Sequence, residues 1–372
     1  NNRDSFKNRW GFILACIGSA VGMGNLWMFP TRVSMYGGGS YLVPYFIFVA
    51  LIGSTGVIGE MSFGRATKSG PVDAFGTACE MRGHKCIGRI LGYIPVLGSL
   101  AMAIGYTVVM GWILKYMIGS FTGTTLAPAD AEGFGTEFGS MATAFGNNFW
   151  QLLALAAGMC ILMFGVSLGI EMANKIMMPV LVVLAVVVTI YSVTRPGAVE
   201  GVKYFLIPNV KNFSWMTVVA AMGQMFYSLS IAMGILYTYG SYVRKDMDIE
   251  RSTTQVEVFD TGIAILAGLM IIPAAFSFSG GNPETLQAGP SLMFITLPKV
   301  FASMGFGTAT GIVFFILVLL AALTSAVSLM ETSVSTFMDE LHWSRKKCCG
   351  LMVVIMICLL YTSPSPRDMR RS

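Results

Sequence analysis

Residues 10–30 read WGFILACIGSAVGMGNLWMFP, and this stretch decides the fold. It is long enough for a membrane-spanning helix, which needs about 20 apolar residues. Its middle disfavours a helix, because each of its three glycines lowers helix stability by roughly 1 kcal/mol and Asn25 lies at membrane depth. An unwound turn persists in hydrocarbon only where polar groups satisfy its backbone. The stretch therefore predicts either a break that binds a polar ligand or glycines that admit a neighbouring helix.

The composition of the chain is that of a polytopic membrane protein. Of its 372 residues, 55% are hydrophobic and only 12% are charged, whereas soluble proteins carry about 25% charged residues. The sequence predicts eight spans, at 10–30, 40–63, 93–118, 149–170, 174–194, 215–241, 257–279 and 308–338, with a ninth starting near Gly350. The fold class is therefore all-α.

The segments between the spans also carry predictions. A tight turn at Glu171–Asn174 joins the fourth and fifth spans, and the outer loop 119–148 is rich in Gly, Thr and Ala and is predicted to be flexible. The inner loop 65–92 is expected to contain a short helix, and the outer segment 195–214 reads as an ordered loop. Residues 282–306 suggest a loop whose short helix dips inward.

The distribution of basic residues predicts the orientation. With the N-terminus inside, fifteen basic residues lie on the inner side: Arg3, Lys7, Arg9, Arg65, Lys68, Arg82, Lys85, Arg89, Lys175, Arg244, Lys245, Arg251, Arg345, Lys346 and Lys347. Six lie on the outer side: Arg32, Lys115, Arg195, Lys203, Lys211 and Lys299. The positive-inside rule then predicts a multi-pass protein of the cytoplasmic membrane with its N-terminus in the cytoplasm. The net charge of +5 reports this topology and does not indicate nucleic-acid binding.

The sixth span repeats the peculiarity of the first. Within MGQMFYSLSIAMGILYTYGSY, residues 222–242, three polar residues, Gln224, Ser228 and Ser230, interrupt an apolar segment flanked by glycines. Each of the two discontinuous spans would be the first in a group of five spans. This pattern indicates a secondary transporter built from inverted repeats, with its binding site near the membrane midplane. This correspondence favours a ligand-binding break over close helix packing.

Two further spans supply oxygen atoms for a cation. Asp260 is a lone carboxylate in the seventh span, with no lysine or arginine at similar depth, so a metal ion or a proton is implied. In the eighth span, Thr324 and Ser325 either bond back to their own helix or join the carbonyls of Gly18 and Val21. In the second case they form an oxygen cage that suits a small hard cation.

Enzymatic chemistry inside the membrane is disfavoured by the same residues. It would require paired acids, a Ser–His couple or metal ligands at membrane depth. The two histidines, His84 and His342, fall in inner loops, and Asp260 is predicted to have no second acid near it.

Two other residues leave alternatives open. Glu60 either pairs with Arg65 at the interface or braces the unwound first segment, and Tyr106 is either a packed aromatic or a ligand contact.

Several motifs resemble those of the neurotransmitter:sodium symporters, and most closely those of the bacterial amino-acid branch. They are GSAVGMGNLWMFP (18–30), GGGSYLVPY (37–45), GQMFYSLS (223–230), SYVRKD (241–246), FITLPKVF (294–301), LTSAVSLME (323–331) and DELHWSRKK (339–347). The resemblance implies a five-plus-five inverted-repeat transporter fold with broken helices 1 and 6. The transporter domain would occupy residues 1–350, with spans 1–5 as the first repeat and spans 6–8 with the start of span 9 as an incomplete second repeat.

The resemblance also implies the residues of the sites. The first of two sodium ions would be bound by the Ala20 carbonyl, Asn25, Ser228, Asp260 and the substrate carboxylate. The second would be bound by the carbonyls of Gly18, Val21 and Ala321 and the hydroxyls of Thr324 and Ser325. The substrate would contact Ser19, Ala20, Met23, Gly24, Tyr106, Tyr227, Ser228, Ser230, Met233, Ser325 and Leu329. The cytoplasmic gate would pair Arg3 with Asp339 near Ser241 and Tyr242. Chloride-dependent relatives have a serine at the position of Ala264. Chloride would not be required here, because the Asp260 carboxylate would supply the negative charge in its place.

Three features depart from the family pattern. Met28 stands where the outer gate has an arginine, and Phe6 stands where the inner gate has a tryptophan. After Leu360 the sequence becomes YTSPSPRDMRRS, so the ninth span has only about 11 apolar residues, too few to cross. The chain is therefore expected to be C-terminally truncated, with residues 361–372 a tail foreign to the family.

The expected function is sodium-coupled symport of an amino acid by alternating access, with no resident cofactor and with sodium, the amino acid and the lipid bilayer as partners. The implied pocket holds no charged side chain, and an unpaired buried charge is costly. A neutral substrate is therefore expected, with tyrosine or tryptophan favoured over leucine. The alternatives are a proton-coupled or exchanging amino-acid transporter of the same fold and a truncated remnant that does not transport.

Overall fold

The computed structural model describes residues 5–128, 131–143, 146–279 and 290–360, and its regular elements within these ranges are helices. Before the midpoint of the chain these are α1 (Arg9–Ala20), α2 (Phe29–Met35), α3 (Gly39–Phe48), α4 (Ser54–Thr67), α5 (Pro71–Glu80), α6 (Lys85–Thr122), α7 (Ala131–Met141), α8 (Asn148–Met163) and α9 (Glu171–Val193). After it they are α10 (Ala198–Leu206), α11 (Trp215–Ser228), α12 (Ile235–Tyr242), α13 (Ile249–Ser279), α14 (Leu297–Ala302), α15 (Gly307–Leu341) and α16 (Arg345–Leu360).

Five continuous helical segments of the described chain are long and apolar enough to cross a membrane. They are Gly39–Thr67, Lys85–Thr122, Val166–Val193, Ile249–Ser279 and Gly307–Leu341. A sixth candidate is the pair Arg9–Ala20 and Gly24–Met35, which is bent by 45° at a short break. This arrangement confirms the all-α membrane class, and the bent pair is the predicted first span.

The first break follows directly from its sequence. Helix α1 ends at Ala20, the N–H of Val21 makes the last regular bond to the Ile17 carbonyl, and a π-helical turn begins at Gly24. The glycines also permit close packing, because a Cβ on Gly18 would lie 1.8 Å from Asn174 Oδ1. The break and the close packing of a neighbouring helix therefore coexist, and ligand binding at the break stays a prediction.

The second break separates α11 from α12 between Ser228 and Ile235. Ser230 and Ala232 have φ angles of 58° and 65°, in the left-handed region. Left-handed backbone costs a residue with a Cβ of order 1 kcal/mol, so such conformations persist where surrounding contacts hold them. The predicted interruption of the sixth span is thus present and lies among its polar residues.

The predicted turn at Glu171–Asn174 is wrong. The chain reverses instead near Gly165, which has a φ of 82°, and residues Val166–Ile170 form a π-helical turn continuous with α9. Glu171 and Asn174 lie within α9, and both side chains are buried against α1 rather than exposed at a turn. Their polarity misled the sequence prediction, since polar residues also mark buried contacts between helices.

The outer loop 119–148 is also more ordered than its composition predicted, because it contains α7. This helix buries Phe134, Phe138 and Met141, and the ring of Phe138 stacks on Phe294 with centroids 5.3 Å apart. Aromatic burial of this kind stabilises the segment. Small residues dominate its composition, so the three apolar anchors were easily overlooked.

The other connections agree with expectation. The inner loop 65–92 contains α5, and the ordered outer segment 195–214 contains α10. In the segment 282–306, a π-helical turn at Leu292–Thr296 leads into α14, whereas residues 280–289 lie outside the described part. Helix α16 begins five residues before the predicted start of the ninth span, and the predicted tail 361–372 also lies outside the described part.

The core forms around the broken first span. Helix α1 packs against α9, α13 and α15, while α15 packs on α6 and α13 packs on α9. The second break lies next to the first, since α11 contacts the π-helical turn that follows the first break and α12 contacts α4 and α15. The two breaks therefore meet inside the bundle, where their backbone polar groups face a common interior.

Candidate functional site

A buried polar cluster joins the two breaks to the seventh span. The Asn25 Nδ2 atom donates to Asp260 Oδ1 at 2.9 Å and to the Asp260 carbonyl at 3.0 Å. The Ser228 hydroxyl donates to Asp260 Oδ2 at 2.8 Å and lies 3.3 Å from Asn25 Oδ1. All three side chains are at most 1% exposed. The structure thus brings together three of the four residues predicted for the first sodium ion.

This cluster has the chemistry of a site for a small hard cation. It supplies a carboxylate, an amide oxygen and a hydroxyl, the oxygen ligands that such ions prefer, and no described lysine or arginine forms an ion pair with Asp260. The fourth predicted residue, Ala20, ends α1 and lines the adjacent cavity. Binding of sodium by these atoms stays a prediction.

The second predicted cluster lies on the other side of the first break. The Ser325 hydroxyl lies 3.2 Å from the carbonyls of Gly18 and Ser19 and 3.4 Å from that of Val21. The Thr324 hydroxyl instead bonds back within its helix, to the carbonyls of Leu320 and Ala321 at 3.1 and 3.0 Å. In this conformation both readings of the sequence are therefore realised, one by each residue.

Replacing both Thr324 and Ser325 by alanine should weaken the response to sodium. Two of five predicted oxygen ligands disappear, and hard cations tolerate few missing ligands, so the sodium concentration for half-maximal uptake should rise about tenfold or more. Sodium titration of uptake by the full-length protein measures this. The matched control is Thr310→Ala, whose hydroxyl bonds only to the Phe306 carbonyl of its own helical turn. An unchanged sodium dependence in the double variant would show that the hydroxyls serve only their helix.

The predicted substrate residues surround a small cavity between the breaks and α6 and α15. Its lining residues are Ser19, Ala20, Gly24, Met102, Tyr106, Tyr227, Ser230, Met233, Ile235, Ser325 and Leu329. The cavity measures about 10 Å³, the space of one water molecule. Eleven positions of apolar or small polar character thus converge, and none of them is charged.

Two predicted substrate residues lie elsewhere, and two lining residues were not predicted. Met23 lines a larger outer cavity, and Ser228 belongs to the Asp260 cluster. Met102 was missed although it precedes Tyr106 by four residues, which places both on one helix face. Ile235 was missed because it is an ordinary apolar residue, and only its position directly after the second break brings it to the cavity.

An outer cavity of about 760 Å³ lies next to the small one. Tyr106 and Tyr227 line both cavities, and their hydroxyls lie 3.3 Å apart, so this pair separates the two spaces. Met28, at the position of the family's outer-gate arginine, lines the outer cavity together with Arg32, whose guanidinium donates to the Ala220 carbonyl at 3.2 Å. Tyr106 therefore lines two cavities, and a contact between its hydroxyl and a ligand stays a prediction.

Glu60 braces a break, but it is the second one. Its Oε1 atom accepts a hydrogen bond of 2.8 Å from the backbone N–H of Ala232, one of the two residues in left-handed conformation. Arg65, the alternative partner, donates to the Met247 carbonyl instead. The contact satisfies a backbone donor that the unwound segment leaves without a helical partner.

Three of the four residues predicted for the cytoplasmic gate lie in the described part of the chain. Arg3 lies outside the described residues, and the Asp339 carboxylate accepts a bond of 3.1 Å from the Gly70 N–H. The Tyr242 hydroxyl donates to Glu331 at 2.5 Å, and Arg345 forms a two-pronged ion pair with the same carboxylate at 2.7 and 2.9 Å. Sequence reasoning did not single out Glu331 or this pairing.

The other residues of this inner region are Ser241 and Phe6. The Ser241 hydroxyl donates to the Thr238 carbonyl at 2.6 Å. Phe6, at the position of the family's inner-gate tryptophan, is fully buried, with its ring edge-on to Tyr239 and Tyr242 at centroid distances of 5.8 and 6.2 Å. The N-terminal segment is therefore packed against α12, and the phenylalanine fills the position without a hydrogen-bonding ring.

The prediction that Asp260 has no second acid near it is wrong. Asp260 does have a second acid near it, because α13 starts at Ile249 and carries Glu257 into the buried part of the bundle one helical turn earlier. The seventh span was predicted to begin at residue 257, which placed Glu257 at the membrane boundary. Buried polar and charged side chains lengthen this helix beyond its apolar run.

Comparisons with known proteins agree with this architecture. The model of the sodium:neurotransmitter symporter family matches residues 3–132 and 135–363. A sodium-dependent transporter of Bacillus subtilis, YhdH, is 33% identical over 363 residues, which cover 96% of this chain and 78% of that protein. The sodium- and chloride-dependent GABA transporter 2 of Bos taurus is 27% identical over 91% of this chain and 62% of its own length. The crystal structure of MhsT in complex with L-phenylalanine superposes with a TM-score of 0.87 at 40% identity, covering 97% of this chain and 80% of that one.

The fold and the paired breaks thus define a membrane transporter with the architecture of MhsT. The chain belongs to the sodium:neurotransmitter symporter family and is a sodium-dependent symporter. Family membership places it among transporters rather than enzymes.

Proposed function

We propose that the protein carries a neutral hydrophobic amino acid into the cell together with sodium, by alternating access, in a cytoplasmic membrane with its N-terminus inside. The observation that carries the proposal is the meeting of two helix breaks around an uncharged cavity beside the Asp260 cluster. A structural neighbour of 40% identity that binds L-phenylalanine supports the class of substrate.

Each half of the amino acid has a partner in this arrangement. The substrate carboxylate would meet the first sodium ion, the Tyr106 hydroxyl and amides of the first break, while the ammonium group would face carbonyls near Ala20 and Tyr227. The side chain would enter the cavity by moving Met233 and Leu329. Methionine adapts its shape readily and makes favourable contacts with aromatic rings, which favours tyrosine, tryptophan and phenylalanine over smaller side chains.

Two sodium ions are proposed, one at the Asp260 cluster and one at the carbonyls beside Ser325. Chloride is proposed to be dispensable, because the Asp260 carboxylate already supplies a fixed negative charge at the cluster and the neighbouring Ala264 offers no hydroxyl to an anion. A proton-coupled or exchanging transporter of the same fold is the alternative. It requires uptake that persists when choline replaces sodium.

Competition should rank amino acids by the character of their side chains. Unlabelled tryptophan, tyrosine, phenylalanine and leucine should displace labelled phenylalanine from the full-length protein in sodium buffer. Glutamate and lysine should fail, since no lining residue pairs with a charge and an unpaired buried charge is costly. The measurement is the half-inhibitory concentration of each compound, with glycine as a small neutral control. Stronger displacement by glutamate, lysine or glycine than by the aromatic amino acids would contradict the pocket argument.

A further inference from the structure

Glu257 is a buried carboxyl group that the sodium and substrate sites do not use. Its residue is 7% exposed, and its Oε1 atom has no hydrogen-bond partner in the described parts of the chain. Ser54, on α4, lies beside this carboxyl group, and none of the hydrogen bonds of the Asp260 cluster involves Glu257. A polar atom left unpaired in the interior of a bundle is costly, so this carboxyl calls for an explanation.

Ser54 lies at an irregular point of the second span. Ser54 directly follows the π-helical turn Val49–Gly53, and such turns occur often at functional sites. Gly53 packs closely on the second break, because a Cβ there would lie 2.5 Å from the Leu229 side chain. Glu257 therefore lies beside the part of the second span that packs on the second break.

Other charged groups lie around the inner half of α13. Those on the elements packed against it are Arg9 and Cys16 on α1, Glu60 and Arg65 on α4, and Glu171 and Lys175 on α9. Asp260 lies on α13 itself, with Tyr45 of α3 near it. The cations among them are bonded elsewhere. Arg9 bonds to Ser252 and Gln255, Arg65 bonds to the Met247 carbonyl, and Lys175 pairs with Glu171.

The depth of Glu257 makes an ionised form costly while the bundle is closed around it. Eight residues separate it from the start of α13, about 12 Å along the helix axis, so it lies in the inner half of the span. A lone carboxylate at such a position is expensive unless it is paired or neutral. A metal ion would require several oxygen ligands, whereas one proton neutralises the group.

We propose that Glu257 is a proton-binding site separate from the sodium pocket. The carboxyl group holds one proton while the inner side is closed. When the inner side opens and water reaches it, the O–H bond breaks, the proton passes to water and a carboxylate remains, because a glutamate in water is ionised at pH 7. Closing the inner side returns one proton from water to the group. This cycle rests on the alternating access of the proposed function.

Proton counting tests the proposal. Full-length protein in lightly buffered, sodium-free detergent solution at pH 7 is mixed with sodium chloride and phenylalanine in the presence of a pH indicator, with choline chloride as the salt control. In the proposed alternating access, sodium and substrate bind while the inner side is closed, so the wild type should take up as much as about one proton per chain. Glu257→Gln keeps the shape and a neutral hydrogen-bonding group, and its uptake should fall about fivefold or more.

Controls separate this site from other acids and from the transport function. Glu250→Gln changes an exposed acid on the same helix and should behave as the wild type. Glu257→Asp keeps the acid and should restore proton uptake, which also guards against a glutamine variant that fails to fold. Protons displaced from Asp260 by sodium would give release instead, in both the wild type and Glu257→Gln, so the difference between the two isolates Glu257.

Each outcome decides the proposal. Absence of the difference between the wild type and Glu257→Gln, with both proteins binding labelled phenylalanine in a sodium-dependent manner, would overturn the proton site and leave the symport function intact. If phenylalanine binds to neither protein, the substrate proposal fails, and sodium chloride alone against choline chloride still measures the proton difference. A proton difference under sodium alone would then support the site, and its absence would overturn it.

Discussion

Asp260→Asn should abolish sodium-driven amino-acid uptake in chloride-free buffer, with a loss of about 100-fold or more. The carboxylate accepts hydrogen bonds from both Asn25 and Ser228 and is the only anionic group of the cluster. Asparagine retains the shape but removes the charge that balances the cation. An unbalanced ion in a buried site costs several kcal/mol, and each 1.4 kcal/mol lowers the affinity tenfold. Initial uptake rates in proteoliposomes of full-length protein measure the effect.

Chloride distinguishes loss of charge from loss of structure. If Asp260 stands in for a bound anion, adding chloride should partly restore uptake by Asp260→Asn, and the compensating Ala264→Glu should do so without chloride. Glu250→Gln, an exposed acid of the same helix, is the matched control and should transport normally. Uptake by Asp260→Asn at the wild-type rate without chloride would show that the charge is not needed.

Glu331→Ala should produce the largest loss of stability. Its side chain is completely buried, pairs with both arms of Arg345 and accepts a bond from the Tyr242 hydroxyl. Removing one partner leaves a largely buried guanidinium without its counter-charge, a change that costs about 3–5 kcal/mol. The apparent melting temperature of the detergent-solubilised protein should therefore fall by about 5 °C.

An exposed ion pair provides the control for this measurement. Glu200 and Lys203 are 65% and 56% exposed in their side chains and lie 2.9 Å apart, and surface pairs contribute at most about 1 kcal/mol. Glu200→Ala should leave the melting temperature nearly unchanged. Equal shifts in Glu200→Ala and Glu331→Ala would contradict the importance assigned to the buried pair. The double variant Glu331→Ala with Arg345→Met should recover part of the loss, because it leaves no unpaired charge.

Much of the fold was predictable because the membrane restricts what a sequence can do. Glycines and polar residues inside long apolar runs predicted both broken spans, since regular apolar helices need neither. Asn25, Ser228 and Asp260 were predicted to cooperate through a family resemblance, and they are hydrogen-bonded to one another. The remaining site assignments, including both sodium ions, stay predictions.

The failures share one physical origin. Glu171 and Asn174 were assigned to a turn, and Glu257 to the membrane boundary, because hydropathy measures the average preference of a residue and not its neighbours. All three are buried beside other helices, where tertiary contacts satisfy part of their polarity. The helix α7 was missed for the opposite reason, since its small residues conceal the few side chains that anchor it.

Sodium is proposed to drive the uptake of a neutral hydrophobic amino acid. The most direct test is the uptake of labelled phenylalanine by proteoliposomes of the full-length protein under an inward sodium gradient, compared with equal choline and lithium gradients. We predict uptake above the equilibrium level with sodium and only background uptake with choline, and loss of the sodium-driven signal in Asp260→Asn. Phenylalanine uptake that is equally fast in choline, or that never exceeds equilibrium in sodium, would contradict the account.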